Sequence, residues 1–514
     1  MGKTLSLEAK VGQLLMFGFA GPTVSPHIRE FIVKHNLGGV IHFARNVENP
    51  TQLAQLNQEF QRLAKQSPSG MGLLIAVDQE GGTVARLTKG VTVLPSAMAF
   101  GATGSTEITE QACETAGREL LATGINMNLA PVVDVNNNPL NPVIGVRSFG
   151  ENPADVAGFG AAAIRGYQKH VAAVAKHFPG HGDTDLDSHL ALPVIKHSRA
   201  RLDEVELVPF KEAIAQGVMG IMTAHVVFPA IESTPGLPST LSYQVLTKLL
   251  REELGYDGLI MTDCMEMAAI KETYGTVEAA VMAIEAGADM VLISQTEELQ
   301  TQAFEALVSA VKTGRISEER IDQSLERVLK AKERLKWEQP SLNIVGSPEH
   351  IEVVRGAIQK SITVVRDDDN LPLGNERVLV IEPAKKAANI AEDVLMNMGT
   401  LSLALRAHGL VHVDEIGAEE HDAILAKAEE YGKVIIVTSD AHRNPSQAEL
   451  VRNLMERCPS LIVVGSRTPY ELSAFPEVTT YVAAYGSRPL VWDEVAKVLL
   501  GKTKALGKVP VSVE

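Results

Sequence analysis

The chain is poor in cysteine and has no long hydrophobic run, and both absences restrict what kind of protein it can be. Its 514 residues contain three cysteines, Cys113, Cys264 and Cys458, which are too scattered for a disulfide framework or a zinc site. Such sparse cysteine use fits a reducing compartment. No apolar stretch approaches the about 20 residues that cross a bilayer, so we expect no membrane-spanning segment.

Excess positive charge and a secretion signal are also lacking. Lysine and arginine number 47 against 63 aspartates and glutamates, for a formal net charge of −16. This balance argues against nucleic acid or an anionic membrane surface as a partner. The N-terminus has no basic region followed by an apolar core and a cleavage site. We therefore expect a cytoplasmic protein.

Short apolar runs alternate with helical patterns over the first two thirds of the chain. In one helical pattern, Thr276 is the predicted N-cap, apolar residues recur at helical spacing from Val277, and Gly287 can end the helix. Eight runs are predicted strands: residues 14–18, 39–43, 73–78, 126–130, 171–177, 220–224, 258–262 and 290–293. Their alternation with helices predicts a (β/α)8 TIM barrel. A doubly wound sheet is the alternative, because periodicity does not show closure.

The last third of the chain shows a second, smaller βα pattern. Its predicted strands are residues 378–381, 434–438, 461–464 and 480–484. The predicted organisation is a catalytic barrel over 1–336, a linker over 337–350 and a three-layer α/β sandwich domain over 351–514. No phosphate-binding glycine motif occurs in the last region, so nothing there indicates a nucleotide cofactor.

The run KHFPGHGDTDLDSH, residues 176–189, is the most informative stretch of the sequence. Five of the fourteen histidines lie between His170 and His197. The run begins where a predicted strand ends, and its proline and glycines predict a loop. A loop dense in His, Asp and Lys at a strand end is typical of an active site, whereas solvated loops rarely concentrate histidine. The Asp187-x-His189 spacing also lets a carboxylate orient an imidazole.

Polar residues recur at the same end of several predicted strands. They are Asp78, Asp134, Lys176, His177, His225 and Asp263. In a TIM barrel the carboxyl ends of the strands meet at one face, so we expect these side chains to converge. For Asp134 and His225, a hydrogen bond at the barrel rim is an equally good explanation.

Several stretches together resemble the family three glycoside hydrolases, specifically their β-N-acetylglucosaminidase branch. The most specific is the 176–189 run. The others follow in order along the first domain, at residues 38–46, 78–86, 129–134, 144–150 and 261–267. The last third of the chain is more weakly similar to the C-terminal α/β domain of that family.

The resemblance implies roles for individual residues. Asp263 matches the nucleophile, His189 the acid/base, and Asp187 the carboxylate that orients His189. An imidazole suits a group that donates and then accepts one proton, because its pKa of about 6.5 is close to the operating pH. The sugar-binding positions of the family correspond to Asp78, Arg86, Arg147, Lys176 and His177. For Arg86 and Arg147, a structural salt bridge is a competing explanation.

The function that the resemblance implies is an exo-acting, retaining β-N-acetylglucosaminidase without a metal or organic cofactor. Its expected substrates are small carbohydrates, namely GlcNAc–MurNAc muropeptides or chitin oligomers. The expected role is intracellular peptidoglycan recycling, with no nucleic-acid or membrane partner. The natural aglycone, the oligomeric state and the purpose of the second domain stay open.

Three other functions are compatible with parts of the pattern. A phosphorylase of the same branch would use phosphate in place of water. A histidine acid/base repels the phosphate anion less than a glutamate would. A metal-dependent hydrolase would draw its ligands from Lys176, His177, His189, His225 and Asp263, although no close H-x-H pair occurs on an early strand. The intact set of Asp263, Asp187 and His189 argues against the third, a non-catalytic sugar-binding protein.

Overall fold

A closed barrel of eight parallel strands forms the first part of the computed structural model, which describes residues 5–188, 190–382, 392, 399–410, 412–417 and 421–513. The strands are β1 Leu15–Phe17, β2 Gly39–His42, β3 Leu74–Val77, β4 Met127–Asn128, β5 Ala172–Phe178, β6 Gly220–Thr223, β7 Leu259–Cys264 and β8 Met290–Ile293. The barrel is closed because β1 pairs with both β2 and β8. The predicted TIM barrel is therefore confirmed, and the doubly wound alternative is wrong.

Helices surround the barrel and follow its strands in the chain. They are α1 Leu7–Gln13, α2 Pro26–His35, α3 Pro50–Ala64, α4 Ala97–Thr103, α5 Thr106–Ala122, α6 Pro153–Gln168, α7 Arg199–Glu204, α8 Val208–Ala215, a π-helix Gln244–Glu253, α9 Ala268–Lys271, α10 Thr276–Ala286, α11 Glu297–Lys312 and α12 Glu318–Arg334. Their starts follow the usual capping chemistry: Asn49 caps α3 and Pro50 is its first residue. The predicted N-cap Thr276 is instead the first residue of α10, because Gly275 takes the cap position and the Thr276 hydroxyl donates to the Met265 carbonyl.

The inside of the barrel is filled with apolar side chains. Methionine, leucine and valine residues from the strands form one buried cluster, which includes Met16, Leu74, Val174 and Met261. Val328 of α12 belongs to the same cluster. Because this core is packed, a ligand site is expected above it, at the carboxyl ends of the strands.

A six-stranded mixed sheet forms the second domain. Its strands, in spatial order, are β9 Thr363–Arg366, β14 Tyr481–Ala483, β13 Leu461–Gly465, β12 Lys433–Thr438, β10 Val378–Glu382 and β11 Val413–Gly417. Only the β9–β14 pair is antiparallel. The helices of this part are α13 Pro348–Ser361, α14 Leu401–Ala407, α15 His421–Ala428, α16 Pro445–Arg457 and α17 Pro489–Leu499. The predicted α/β sandwich is confirmed, whereas the limits of the linker and the two domains stay predictions.

The second domain contacts loops that follow the carboxyl ends of barrel strands. The Ser96 hydroxyl donates to the Tyr485 carbonyl at 2.7 Å, and the Tyr470 hydroxyl donates to the Asn136 carbonyl at 2.7 Å. Ser96 lies in the β3–β4 connection and Asn136 follows β4. Within the described ranges, no helix is long and apolar enough to cross a bilayer.

Candidate active site

A cavity of about 570 Å³ opens at the carboxyl end of the barrel. Of the predicted site residues, its lining includes Asp78, Arg86, Arg147, Lys176, His177 and Asp263. They lie after β3 and β4 or in the last residues of β5 and β7, so closure of the barrel brings together side chains that are far apart in sequence. The volume is within the range of small-molecule sites.

Asp78 lies on one wall of the cavity and is held by two cations. The Lys176 ammonium is 2.7 Å from Asp78 Oδ1, and Arg86 Nη2 is 3.9 Å from Asp78 Oδ2. Lys176 is the last residue but two of β5 and is almost fully buried. Asp78 and Lys176 therefore form a charged pair at the edge of the cavity, suited to binding hydroxyl groups.

Glu80 connects this pair to Arg147. The two Glu80 oxygens accept hydrogen bonds of 2.8 Å from Arg147 Nε and Nη2, and Glu80 Oε1 is 2.7 Å from Lys176 Nζ. Arg147 Nη1 also donates to the Val143 carbonyl at 3.1 Å. Arg147 thus lines the cavity but forms a salt bridge with Glu80. A structural salt bridge was the alternative to a sugar contact that the sequence left open for this residue.

The ion pairs control the charge state of this network. Burial by itself would raise the pKa of Glu80, but Arg147 and Lys176 hold that pKa well below its usual range. Burial by itself would lower the pKa of the Lys176 ammonium. The carboxylates of Asp78 and Glu80 outweigh this effect, so the pKa is raised. Both groups are therefore ionised at neutral pH.

His177 is oriented by Asp134, a fully buried carboxylate at the end of the segment after β4. Asp134 Oδ2 is 2.7 Å from His177 Nδ1, and Oδ1 accepts from the backbone N–H groups of His177 and His181 at 3.2 and 2.7 Å. Burial by itself would raise the pKa of Asp134, but these partners lower it. A proton on Nδ1 is thereby favoured, which leaves Nε2 of His177 for a ligand.

His181 organises the loop that carries the predicted acid/base. Its Nδ1 lies 2.9 Å from the Thr184 hydroxyl and its Nε2 lies 2.9 Å from the Ser188 hydroxyl. Burial lowers the pKa of His181 to about 4, so the ring is neutral at physiological pH. Asp187 is buried next to Ser188. His189 lies outside the described residues, so its predicted role stays a prediction.

Asp263 lies near the end of β7 and borders the cavity while remaining partly exposed. Its Oδ1 accepts a 2.7 Å hydrogen bond from the N–H of Cys264. The Cys264 thiol is 2.9 Å from the Ser294 hydroxyl, and burial raises its pKa to about 11. Cys264 therefore stays a neutral thiol, which is a poor nucleophile.

Some cavity residues were not among the predicted site residues. Glu80 follows Asp78 by two positions and was inside a stretch that carried the family resemblance. Phe43 and Arg45 follow β2, and the Arg45 guanidinium lies 4.5 Å from the centre of the Phe43 ring. His225 does not line the cavity. Its ring forms hydrogen bonds with the Thr240 hydroxyl and the Cys264 carbonyl, which agrees with the alternative of a hydrogen bond at the barrel rim.

The metal-dependent alternative is tested only without His189, one of its expected ligands, in the part of the chain that the structure describes. There, the three-residue group close enough to hold a metal ion is Asp183, His197 and Glu206, and none of them lines the cavity. His177, His225 and Asp263 do not form such a group among the described residues.

Replacement of Glu80 tests the buried network. Glu80→Gln should lower the free energy of unfolding by about 3–5 kcal/mol, because Arg147 and Lys176 lose a shared buried carboxylate. Glu59→Gln is the matched control: Glu59 also contacts two arginines, but at the surface, where we expect about 1 kcal/mol or less. Denaturant unfolding of both variants at pH 7 measures the difference.

The same comparison should depend on pH. The pKa of Glu80 is lower in the folded protein than in the unfolded chain, where it is about 4.3. Its contribution is therefore complete above that pH and is lost as the pH falls below it. Equal stability of wild type and Glu80→Gln at pH 7 would contradict the network.

Comparison with known proteins extends over both domains. A model described as the glycosyl hydrolase family 3 N terminal domain matches residues 6–331. A solved family 3 β-N-acetylglucosaminidase from Paenibacillus sp. str. FPU-7 is 44% identical, with a TM-score of 0.94 and 99% of each chain covered.

Two curated relatives agree with this match. Beta-hexosaminidase A of Pseudoalteromonas piscicida is 35% identical over 557 aligned residues, covering 96% of this chain and 92% of the relative. A beta-N-acetylglucosaminidase/beta-glucosidase of Cellulomonas fimi is 29% identical, covering 87% of this chain and 84% of that protein. The family resemblance is confirmed: this chain belongs to glycosyl hydrolase family 3 and is a glycoside hydrolase.

Proposed function

We propose that the enzyme is an exo-acting, retaining β-N-acetylglucosaminidase. The observation that carries the proposal is the cavity in which Asp263 faces a set of sugar-binding candidates: Asp78, Arg86, Lys176 and His177. The relatives named for hexosaminidase or β-N-acetylglucosaminidase activity support the same reaction.

In the first step, Asp263 attacks the anomeric carbon of the terminal sugar. The bond from that carbon to the aglycone oxygen breaks, and His189 gives this oxygen a proton. A covalent glycosyl-enzyme results, as in other retaining glycosidases. The carboxylate suits this role because it also stabilises positive charge that develops on the sugar ring.

In the second step, His189 removes a proton from water, and the water oxygen attacks the anomeric carbon. The bond to Asp263 breaks, and the sugar leaves with its original configuration. Asp187 would keep the imidazole in one orientation and stabilise its protonated form, as the carboxylate of a catalytic triad does.

The charged wall of the cavity would bind the hydroxyl groups of the terminal sugar. Asp78 accepts hydrogen bonds, Lys176 and Arg86 donate them, and the salt bridges to Glu80 and Asp78 keep these groups in position before substrate arrives. Charge-assisted hydrogen bonds of this kind are stronger than neutral ones. Preorganised charges need little rearrangement during the reaction.

For the natural substrates we propose GlcNAc–MurNAc muropeptides or chitin oligomers, cleaved in the cytoplasm during recycling of cell-wall fragments. The three cysteines are free thiols, which is consistent with a reducing compartment. Hydrolysis also has to be distinguished from transfer to phosphate, since a histidine acid/base tolerates phosphate near the glycosyl-enzyme.

The first prediction from this proposal concerns selectivity for the sugar. Nitrophenyl β-GlcNAc should have a much higher kcat/KM than nitrophenyl β-glucoside, by up to about 10⁴-fold, because a site that hydrogen-bonds an amide rejects a substrate without it. The two substrates share a leaving group, so the ratio reports sugar recognition alone. Equal values would refute the assignment, and sugar 1-phosphate formed in phosphate buffer would identify a phosphorylase.

The second prediction concerns Asp263. Asp263→Ala should abolish turnover and keep the fold, because the residue lies at a strand end and is partly exposed. A 5-fluoro β-GlcNAc analogue with a good leaving group keeps the 2-acetamido group and should label wild-type enzyme at Asp263, as peptide mass mapping would show. Asp257→Ala, which removes an exposed acid just before the same strand, is the control and should stay active. Labelling of another residue would overturn the assignment.

The third prediction concerns His189. General acid–base catalysis contributes about 10²–10⁴-fold, but a nitrophenyl group hardly needs protonation. His189→Ala should therefore impair disaccharide cleavage far more than nitrophenyl release, and glycosyl-enzyme should accumulate. Azide needs no base and should restore turnover as a β-glycosyl azide. Asp187→Ala should show a weaker form of the same behaviour.

His170→Ala is the control for His189, because it removes a histidine from the turn that follows α6, outside the cavity lining. It should cleave both substrates as wild type does. If His189→Ala loses both activities equally and azide rescues neither, then His189 is not the acid/base.

A further inference from the structure

A second cluster of ionisable side chains lies outside the cavity, on the loop between β5 and α7 and just beyond it. Asp183 and His197 come from the two ends of this loop, and Glu206 lies between α7 and α8. One carboxylate or imidazole atom from each residue lies within 4.8 Å of the others. Asp183 Oδ2 and His197 Nε2 are in hydrogen-bond contact.

The Glu206 carboxylate is buried without adequate compensation. The residue is 3% exposed, and neither carboxylate oxygen has a hydrogen-bond partner in the described part of the chain. Its nearest cation is Arg201, with Nη2 at 3.6 Å from Oε1, beyond hydrogen-bond length. A buried carboxylate that lacks hydrogen bonds is costly unless it is protonated or binds a cation.

The surrounding backbone keeps this carboxylate beneath the loop. Gly180 has a φ of 142°, and a β-carbon at that position would be 2.9 Å from Cβ of Glu206. The loop backbone therefore packs directly on the Glu206 side chain, which limits its escape to water. Asp183 and His197 remain partly exposed, so an ion could reach the cluster from solvent.

We propose that Asp183, His197 and Glu206 form a binding site for a divalent cation, with Zn²⁺ as the ion that fits best. The cluster contains two carboxylates, and the Arg201 guanidinium approaches Glu206 only to 3.6 Å, so a bound cation would supply the contacts that the Glu206 oxygens lack. One imidazole and two carboxylates are ligands that Zn²⁺ accepts, whereas Ca²⁺ and Mg²⁺ prefer oxygen ligands alone. A water molecule would complete four-coordination.

Such an ion would restrain the loop that carries Asp187 and His189. Asp183 is four residues before Asp187 in the sequence, and His197 directly precedes Ser198, the N-cap of α7. Binding would therefore connect both ends of the loop to the α7–α8 turn. The ion takes no part in bond cleavage. Its expected effect on turnover rests on the proposed function, whereas binding does not.

The test is calorimetric titration of the full-length chain with Zn²⁺ after treatment with chelator. We expect one ion per chain, and at least a tenfold weaker affinity, on the order of a lost ligand contact, in Asp183→Asn, His197→Gln and Glu206→Gln. Glu206→Gln keeps the side-chain shape and removes a buried charge, so it should fold.

Two controls are matched to the ligands. Asp185→Asn removes an exposed acid of the same loop, and His170→Gln removes a histidine elsewhere on the barrel, so both should bind Zn²⁺ as wild type does. Zn²⁺ should also raise the Tm of wild type and the controls but not of the three ligand variants.

Absence of binding to wild type, or equal binding by wild type and all three ligand variants, would overturn the site. Because no substrate is present, this result is independent of whether the glycosidase proposal is correct. Co²⁺ provides a second readout: its visible absorption bands should appear in wild type and disappear in His197→Gln, and unchanged bands would also overturn the site.

Discussion

Glu80 binds Arg147 through two hydrogen bonds of 2.8 Å and Lys176 at 2.7 Å, and all three side chains are largely buried at the edge of the cavity. The three residues belong to the segment after β3, the turn after β4 and the strand β5, so this contact joins three neighbouring parts of the barrel. Asp78 extends the network into the cavity through Lys176. Removal of one member would leave buried charge without a partner, which is why the charged groups on this wall of the cavity depend on one another.

The site combines this charged wall with a loop in which His181 bonds to neighbouring hydroxyl groups. On the wall, buried carboxylates hold cations and imidazoles in place, as Asp134 holds His177. On the loop, Leu186 and Leu190 are exposed, and His181 supplies hydrogen bonds to Thr184 and Ser188. The proposed acid/base belongs to this loop in the sequence, so cation binding by the Asp183 cluster would act on the half of the site opposite the charged wall.

The strands of the barrel were predictable because they are short runs rich in apolar residues, and parallel strands buried on both faces have this pattern. Two strands of the second domain, β9 and β11, were missed. Both lie at the edges of the sheet, and Asp414 and Glu415 interrupt the apolar pattern of β11, as is usual for an edge strand. Glu80 was missed because its importance comes from Arg147 and Lys176, which no spacing in the sequence connects to it.

By itself, the sequence determined the βα alternation, the loop with its histidines and aspartates, and the family to which the chain belongs, because periodicity and motifs are local properties. Tertiary structure alone decided that the barrel closes, since closure depends on β1 pairing with β8 across most of the first domain. It also decided that Arg147 orients Glu80, that His225 bonds at the rim, and that Glu206 lies buried beside Asp183 and His197. These contacts join side chains that are far apart in the sequence, and only the folded chain brings them together.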